Sequence, residues 1–301
     1  MPKILAGILP ILAAPFTPQG ELDEDSFQSL VRHLLGSGAG GLTLFGLATE
    51  FYKLTDAERA RLQTRLLAET SRSESVAGII SITDHSWEAA VPRARAAEAQ
   101  GADALMVLPP YFLGPSEAAI LEHLERVIGA VKLPVIVQYA PAQTGVRLSP
   151  ELFLRLRDRL PNADFVKVEA APVGPYVSRL VAGSQGRLGA LVGYAGVQMP
   201  AVLARGAAGI QPGCSFTEVY VELWRRWQAD KDAFLALHEK LLPYLAEWMQ
   251  SIDLLVKAEK VILRRRGLIA SNYCRGPLYT LDEAEQARIE QFLEQFKAWL
   301  A

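Results

Sequence analysis

Eight short apolar runs, rich in β-branched residues, recur along the chain. They fall at 8–13, 41–45, 76–82, 104–108, 135–139, 165–168, 188–192 and 208–211. Each is followed by a longer stretch whose apolar residues return at helical spacing, which is the pattern of strand–helix units feeding a parallel sheet. Eight such units in about 225 residues match the number and size of a TIM (β/α)8 barrel. A doubly wound open sheet is the main rival, but the first strand–helix turn carries no GxGxxG and no acidic ribose partner. From Phe216 onward the pattern is continuously helical. Trp224, Trp227, Phe234, Leu237, Leu241, Leu245 and Trp248 recur at spacings that predict packing rather than a cofactor site. The expected organisation is a barrel over 1–215, then its last helix and a C-terminal helical extension over 216–301.

Local signals agree with this division. Thr55 followed by Glu58 reads as a capping box, Ser149 followed by Pro150 as a helix start, and Ser86 and Ser116 as N-caps. Gly36, Gly101 and Gly206 fall where helices must stop before the next strand. The apolar run 4–16 is interrupted by Pro10 and Pro15 and is read as a buried first strand, not a secretory leader. Lys and Arg total 31 against 33 Asp and Glu, so neither nucleic acid nor an anionic membrane is expected as a partner. Cys214 and Cys274 form no CxxC, and the four histidines have no HExxH spacing. No metal and no organic cofactor is implied, and a reduced cytoplasm is the expected compartment.

In a barrel, chemistry sits at the C-terminal ends of the strands. Lys167 stands in the run Asp164–Glu169, where alternation puts Phe165, Lys167 and Glu169 on one face. A lysine facing the barrel interior is poorly hydrated, which favours the neutral amine, a nucleophile toward carbonyls. The alternative is an ion pair with Glu169 or another strand-end carboxylate. Glu169 itself reads either as that partner or as a general base removing a C3 proton. Tyr139 ends the fifth run and shares a parity with Val135 and Val137, so its phenol is expected beside Lys167 as a proton relay. By itself, a strand-end tyrosine is also ordinary packing. Arg264–Arg265–Arg266 is expected to be a solvated or intersubunit helix face.

These residues, taken in order, resemble the dihydrodipicolinate synthase / N-acetylneuraminate lyase family of Schiff-base-forming class I lyases. The resemblance runs through Gly7–Pro10, Ala14–Thr17, Gly46–Glu50, Leu108–Phe112, Tyr139–Gly145 and Val166–Lys167. It implies that Lys167 forms an imine with a 2-oxo acid, that Tyr139 relays protons, and that Gly46, Leu47, Ala48, Thr49 and Glu50 hold the substrate carboxylate. It further implies that Tyr111, Gln143, Gly193 and Gly196 contribute to the substrate pocket, and that the chain is a homo-oligomer, dimer or tetramer. Leu47, Ala48 and Thr49 depart from the family's carboxylate loop, which usually carries hydroxyl or small residues and a second glycine. Phe112 and Gln143 stand where the synthases carry a tyrosine and, nearby, an arginine. A true dihydrodipicolinate synthase is therefore disfavoured. The expected reaction is aldol cleavage or condensation with pyruvate, or dehydration of a 2-oxo-3-deoxy sugar acid. Two rivals stand beside it, a phosphate-binding barrel isomerase or metal-dependent aldolase and a non-catalytic sugar-acid-binding barrel.

Overall fold

The computed structural model describes residues 3–300. In chain order its elements are β1 (Gly7–Ile8), α1 (Glu24–Leu35), β2 (Gly41–Leu44), α2 (Asp56–Thr70), β3 (Ala77–Ser81), α3 (Trp87–Ala99), β4 (Ala104–Val107), α4 (Glu117–Ile128), β5 (Val135–Tyr139), α5 (Pro141–Thr144) and α6 (Pro150–Arg159). There follow β6 (Ala163–Val168), α7 (Val173–Gly183), β7 (Gly189–Val192), α8 (Met199–Leu203), β8 (Gly209–Ile210), α9 (Thr217–Ala229), α10 (Lys231–Trp248), α11 (Ile252–Arg265) and α12 (Glu283–Phe296). Each of the eight expected runs overlaps a strand, although run 8–13 shares only Ile8 with β1 and β6 begins two residues before run 165–168. The chain forms two compact units, one of Ala77–Gln211 with the N-terminal residues up to Ala6, the other of Gly7–Val76 and the segment from Pro212 onward.

In the first unit β3 to β8 pair in chain order and in parallel. Every residue of β3, β4 and β5 is buried, as the near-continuous apolar runs require when a parallel sheet is covered on both faces. One irregularity sets the register of β5 against β6. Val135 pairs with Ala163 but Ile136 pairs with Phe165, so Asp164 is an extra residue on β6. Its carboxylate is pinned by Arg157 at 2.6 Å. From that point Gln138 lies opposite Lys167 and Tyr139 opposite Val168.

In the second unit Pro10 has no N–H to give a ladder, and β1 is cut to two residues. The extended chain continues past it through isolated parallel bridges from Ile11 to Thr43 and to Gly213. α2 opens with the expected capping box, Thr55 and Glu58 each bonding the other's backbone N–H. Arg275 grips Glu58 and holds its carboxyl down at about 2, well below the usual range. Ser86 and Ser116 cap α3 and α4 as expected, whereas the Ser149 side chain makes no cap bond and α6 starts on Pro150 alone. Phe234, Leu237, Leu241, Leu245 and Trp248 are buried along α10, and Phe216 and Trp248 meet Phe292 of α12 at 4.9 and 5.2 Å between ring centroids. The arginine triplet divides. Arg264 and Arg265 are exposed, but Arg266 turns inward to Glu218 at 2.7 Å, so it is not part of a solvated face. Among the described residues no helix is long and apolar enough to cross a membrane.

Candidate active site

Lys167 is buried at the end of β6, its side chain only 6% exposed. Alternation carries Glu169, the next residue on the same face, to the first position beyond the strand. There its N–H bonds the Tyr139 carbonyl at 2.8 Å. One carboxylate oxygen, Oε1, stands 3.6 Å from Lys167 Nζ. The other, Oε2, accepts from Gln138 Nε2 at 2.6 Å. The ion pair expected as one reading of Lys167 is therefore present, and an amide holds the carboxylate.

Gly193, at the end of β7, completes this arrangement by lacking a side chain. A Cβ there would lie 2.1 Å from Glu169 Oε1, so the carboxylate occupies the space that any other residue would fill. The chain then turns through Tyr194, Ala195 and Gly196 with φ of 53°, 48° and 75°. Two consecutive non-glycine residues in the left-handed region are strained, and such strain collects where a site is held to a set geometry.

Tyr139 is not where its parity placed it. The extra residue at Asp164 shifts the register, so Gln138 shares the Lys167 face and Tyr139 takes the opposite one. Its ring stacks on Tyr176 at 4.9 Å and leans on Phe153 at 5.8 Å. The phenol oxygen accepts from the Leu148 N–H at 3.3 Å, while Tyr176 donates to the Leu148 carbonyl at 2.9 Å. Burial pushes the Tyr176 phenol well above its ordinary value. Tyr139 thus belongs to an aromatic packing cluster, which corrects the expectation of a phenol beside Lys167. Gln138 was missed, although a glutamine inside the otherwise apolar run Val135–Tyr139 is itself a signal, since buried amides are kept only with a partner.

The remaining expected residues are less concentrated. Tyr111 is half-buried, edge-on to His85 at 4.8 Å, and its neighbour Phe112 is 78% exposed. Gln143 is exposed on α5. In the second unit, Gly46–Glu50 forms a 3-10 turn over Leu47–Thr49 whose own bonds run from Thr49 N to Gly46 O and Glu50 N to Leu47 O. Two of its residues are corrected as direct ligands. The Thr49 hydroxyl accepts from Phe45 N at 3.1 Å and donates to Leu12 O at 2.6 Å, leaving no proton to give a substrate. Glu50 is fully buried in ion pairs with Lys260 and, at 3.0 Å, Lys53. Among the described residues, no three His, Cys, Asp or Glu side chains are grouped to hold a metal ion.

Residues 4–296 match the dihydrodipicolinate synthetase family. The chain belongs to this family. Its fold is the (β/α)8 barrel followed by C-terminal helices, and it is an enzyme of the class I lyase type. Similar curated proteins carry different reactions. One is a putative 2-dehydro-3-deoxy-D-gluconate aldolase, YagE, of Escherichia coli K12, 27% identical over 98% of each chain. Its crystal structure, solved in complex with pyruvate, superposes with a TM-score of 0.88 over 98% of this chain and 99% of that one, at 26% identity. Another is the L-2-keto-3-deoxyarabonate dehydratase of Azospirillum brasilense, 29% identical over 94% of this chain and 92% of its own. A third is the 4-hydroxy-tetrahydrodipicolinate synthase of Acidothermus cellulolyticus, 29% identical over 96% and 92%.

Proposed function

We propose that the chain dehydrates a 2-oxo-3-deoxy sugar acid through a Schiff base on Lys167, with Glu169 as its proton carrier. The observation that carries this reading is the Glu169 carboxylate, held by Gln138 and set 3.6 Å from Lys167 Nζ while Tyr139 lies on the other face of the sheet.

Lys167 as the free amine adds to the C2 carbonyl, and Glu169 is within reach to take the proton the ammonium must shed. Glu169 returns that proton to the carbinolamine hydroxyl, which leaves as water, and the resulting iminium acidifies the C3 protons while Glu169 is again a carboxylate. Glu169 removes one of them and an enamine forms. The enamine electron pair expels the C4 hydroxyl, which leaves as water on receiving the proton back from Glu169. Hydrolysis then frees the lysine. An amide cannot carry a proton through this cycle, so Gln138 holds and Glu169 transfers. Tyr111 and the Gly193–Gly196 turn are assigned to the sugar tail, and the exposed Gln143 is given no role.

Aldol cleavage is the second reading, favoured by the 27% identity to the Escherichia coli aldolase across both chains. There Glu169 would accept the C4 hydroxyl proton as the C3–C4 bond breaks and an aldehyde departs; the enamine left on Lys167 takes that proton at C3, and hydrolysis frees pyruvate. Borohydride trapping with 2-oxo-3-deoxy sugar acids, followed by peptide mass mapping, tests both. A reduced adduct on Lys167, absent in Lys167→Arg, supports imine chemistry. Release of water with the carbon chain intact selects dehydration, and release of pyruvate selects aldol cleavage. A folded sample that gives no adduct with any 2-oxo acid overturns the proposal.

A further inference from the structure

Lys257, Arg264 and Arg265 stand on α11 at helical spacing, so their side chains leave it on one side. Within the second unit they line a cleft of about 620 Å³, walled opposite by residues 270–272, 280–281 and part of α12. Clefts of about 300–1,000 Å³ are the size that takes small molecules.

The charges in this cleft are unequal. Arg265 meets Glu290 at 2.7 Å, and both are about half exposed. Lys257 Nζ donates to the Asn272 carbonyl at 3.0 Å, a neutral partner that leaves its charge in place. Arg264 is exposed and pairs with no carboxylate among the described residues. Three cations against the single carboxylate of Glu290 leave the lining at +2, in a chain whose net charge is −2. Other acids nearby are engaged or turned away. Asp282 and Glu285 form the capping box of α12, and Glu285 also takes the Tyr279 hydroxyl, while Asp253, one turn before Lys257, is exposed and does not line the cleft. A helix C-terminus accounts for two cations in its last turn, Arg264 and Arg265, but not for Lys257 two turns earlier.

Neutral donors accompany the cations. Ser271 Oγ accepts from Tyr273 N at 3.1 Å and keeps its own proton to give, and the Thr280 hydroxyl also lines the cleft. Like charges held this close repel until a counter-charge joins them. A guanidinium fork matches the paired oxygens of phosphate and carboxylate, and hydroxyls complete such a shell. We infer that the cleft is a binding site for a small polyanion, a phosphate ester or a polycarboxylate, with Arg264 as its principal contact. The site lies wholly within the second unit and is independent of the chemistry assigned to Lys167.

Calorimetric titration at constant ionic strength, with pyrophosphate and separately with citrate, tests this. Saturable binding of at least one is expected, with a Kd below about 1 mM. Arg264→Gln should weaken it at least about tenfold, the scale of one lost charge-assisted contact. Arg61→Gln, which removes an exposed arginine paired with Glu24 elsewhere in the same unit, should leave it unchanged. Thermal melting checks that both variants fold, as substitutions of exposed side chains should. Binding of pyrophosphate alone identifies a phosphate site, and of citrate alone a polycarboxylate site. Absence of saturable binding by either anion overturns the inference. So does equal affinity in Arg264→Gln and wild type, or an equal loss in the Arg264 and Arg61 variants, which would mean a diffuse ion atmosphere.

Discussion

Among the described residues two lysines, Lys260 and Lys167, are buried beside glutamates, and their surroundings are built differently. Lys260 and Glu50 are both fully enclosed and in direct contact, with a carbonyl and an aromatic face supplying the rest of the lysine's surroundings. Burial pulls the Lys260 ammonium below its ordinary value while Glu50 opposes that shift. Lys167 and Glu169 are 3.6 Å apart and retain 6% and 10% exposure, and Glu169 spends one oxygen on Gln138. The first pair is enclosed, and Lys53 at 3.0 Å completes the charges around Glu50. The second is looser, and its two charges are not in hydrogen-bonding contact. The same two residue types thus fix a loop in one place and are poised for proton exchange in the other.

That contrast is broken most strongly by Glu169→Gln, which keeps the shape and the Gln138 neighbour but removes the proton carrier. Turnover is expected to fall by about 10²–10⁴-fold while trapping of the imine on Lys167 persists. Turnover within about twofold of wild type would make Glu169 a mere counter-ion. Next is Lys260→Met, which leaves buried Glu50 with Lys53 as its remaining cation and is expected to destabilise the fold by about 1–3 kcal/mol. Adding Glu50→Gln should restore much of that loss, and chemical denaturation of the single and double variants measures the coupling.

Glu259, neighbour of Lys260, gives a pH signature. Burial raises its carboxyl to about 7 from the usual 4.5, so the folded state holds a proton that the unfolded chain releases. Its contribution is intact below about 4.5 and is lost as pH climbs through about 7, by roughly 3 kcal/mol at most. Glu259→Gln should therefore flatten the fall in melting temperature between pH 5 and 8. Parallel curves for the two proteins would contradict the assignment. Glu58, held at about 2 by Arg275, acts in the opposite direction, with stability lost as pH drops below the usual carboxylate range. The smallest effect is expected for Tyr139→Phe, which keeps the stacked ring and loses one acceptor for the Leu148 N–H, a stability change of about 1 kcal/mol or less. A tenfold or larger fall in turnover, on the order of a proton-transfer contribution, would return the phenol to the chemistry.

Much of this was legible in the residues. The eight runs and their intervening helices follow from apolar periodicity and capping, because burial of one face and satisfaction of helix ends are local demands that each segment must meet. Lys167 was visible as a charge inside an apolar strand, and Glu169 followed from alternation along a single strand. Gln138 beside Lys167 was not visible, and neither was Tyr139 on the opposite face. Alternation relates residues within a strand, whereas which residue of β5 faces Lys167 depends on pairing between strands. There, one extra residue at Asp164 exchanges Tyr139 for Gln138.

The same division holds for the Gly46–Glu50 turn. Its composition marks it as the carboxylate loop by resemblance. That Thr49 faces inward onto the Leu12 carbonyl, and Glu50 onto Lys260 of a helix more than two hundred residues further along the chain, is decided by packing. Local sequence determines what each segment can be, because propensity, capping and periodicity act over a few residues. Register and the partners of buried charges are decided only when distant segments pack, because a buried polar group must find its partner wherever the fold places one.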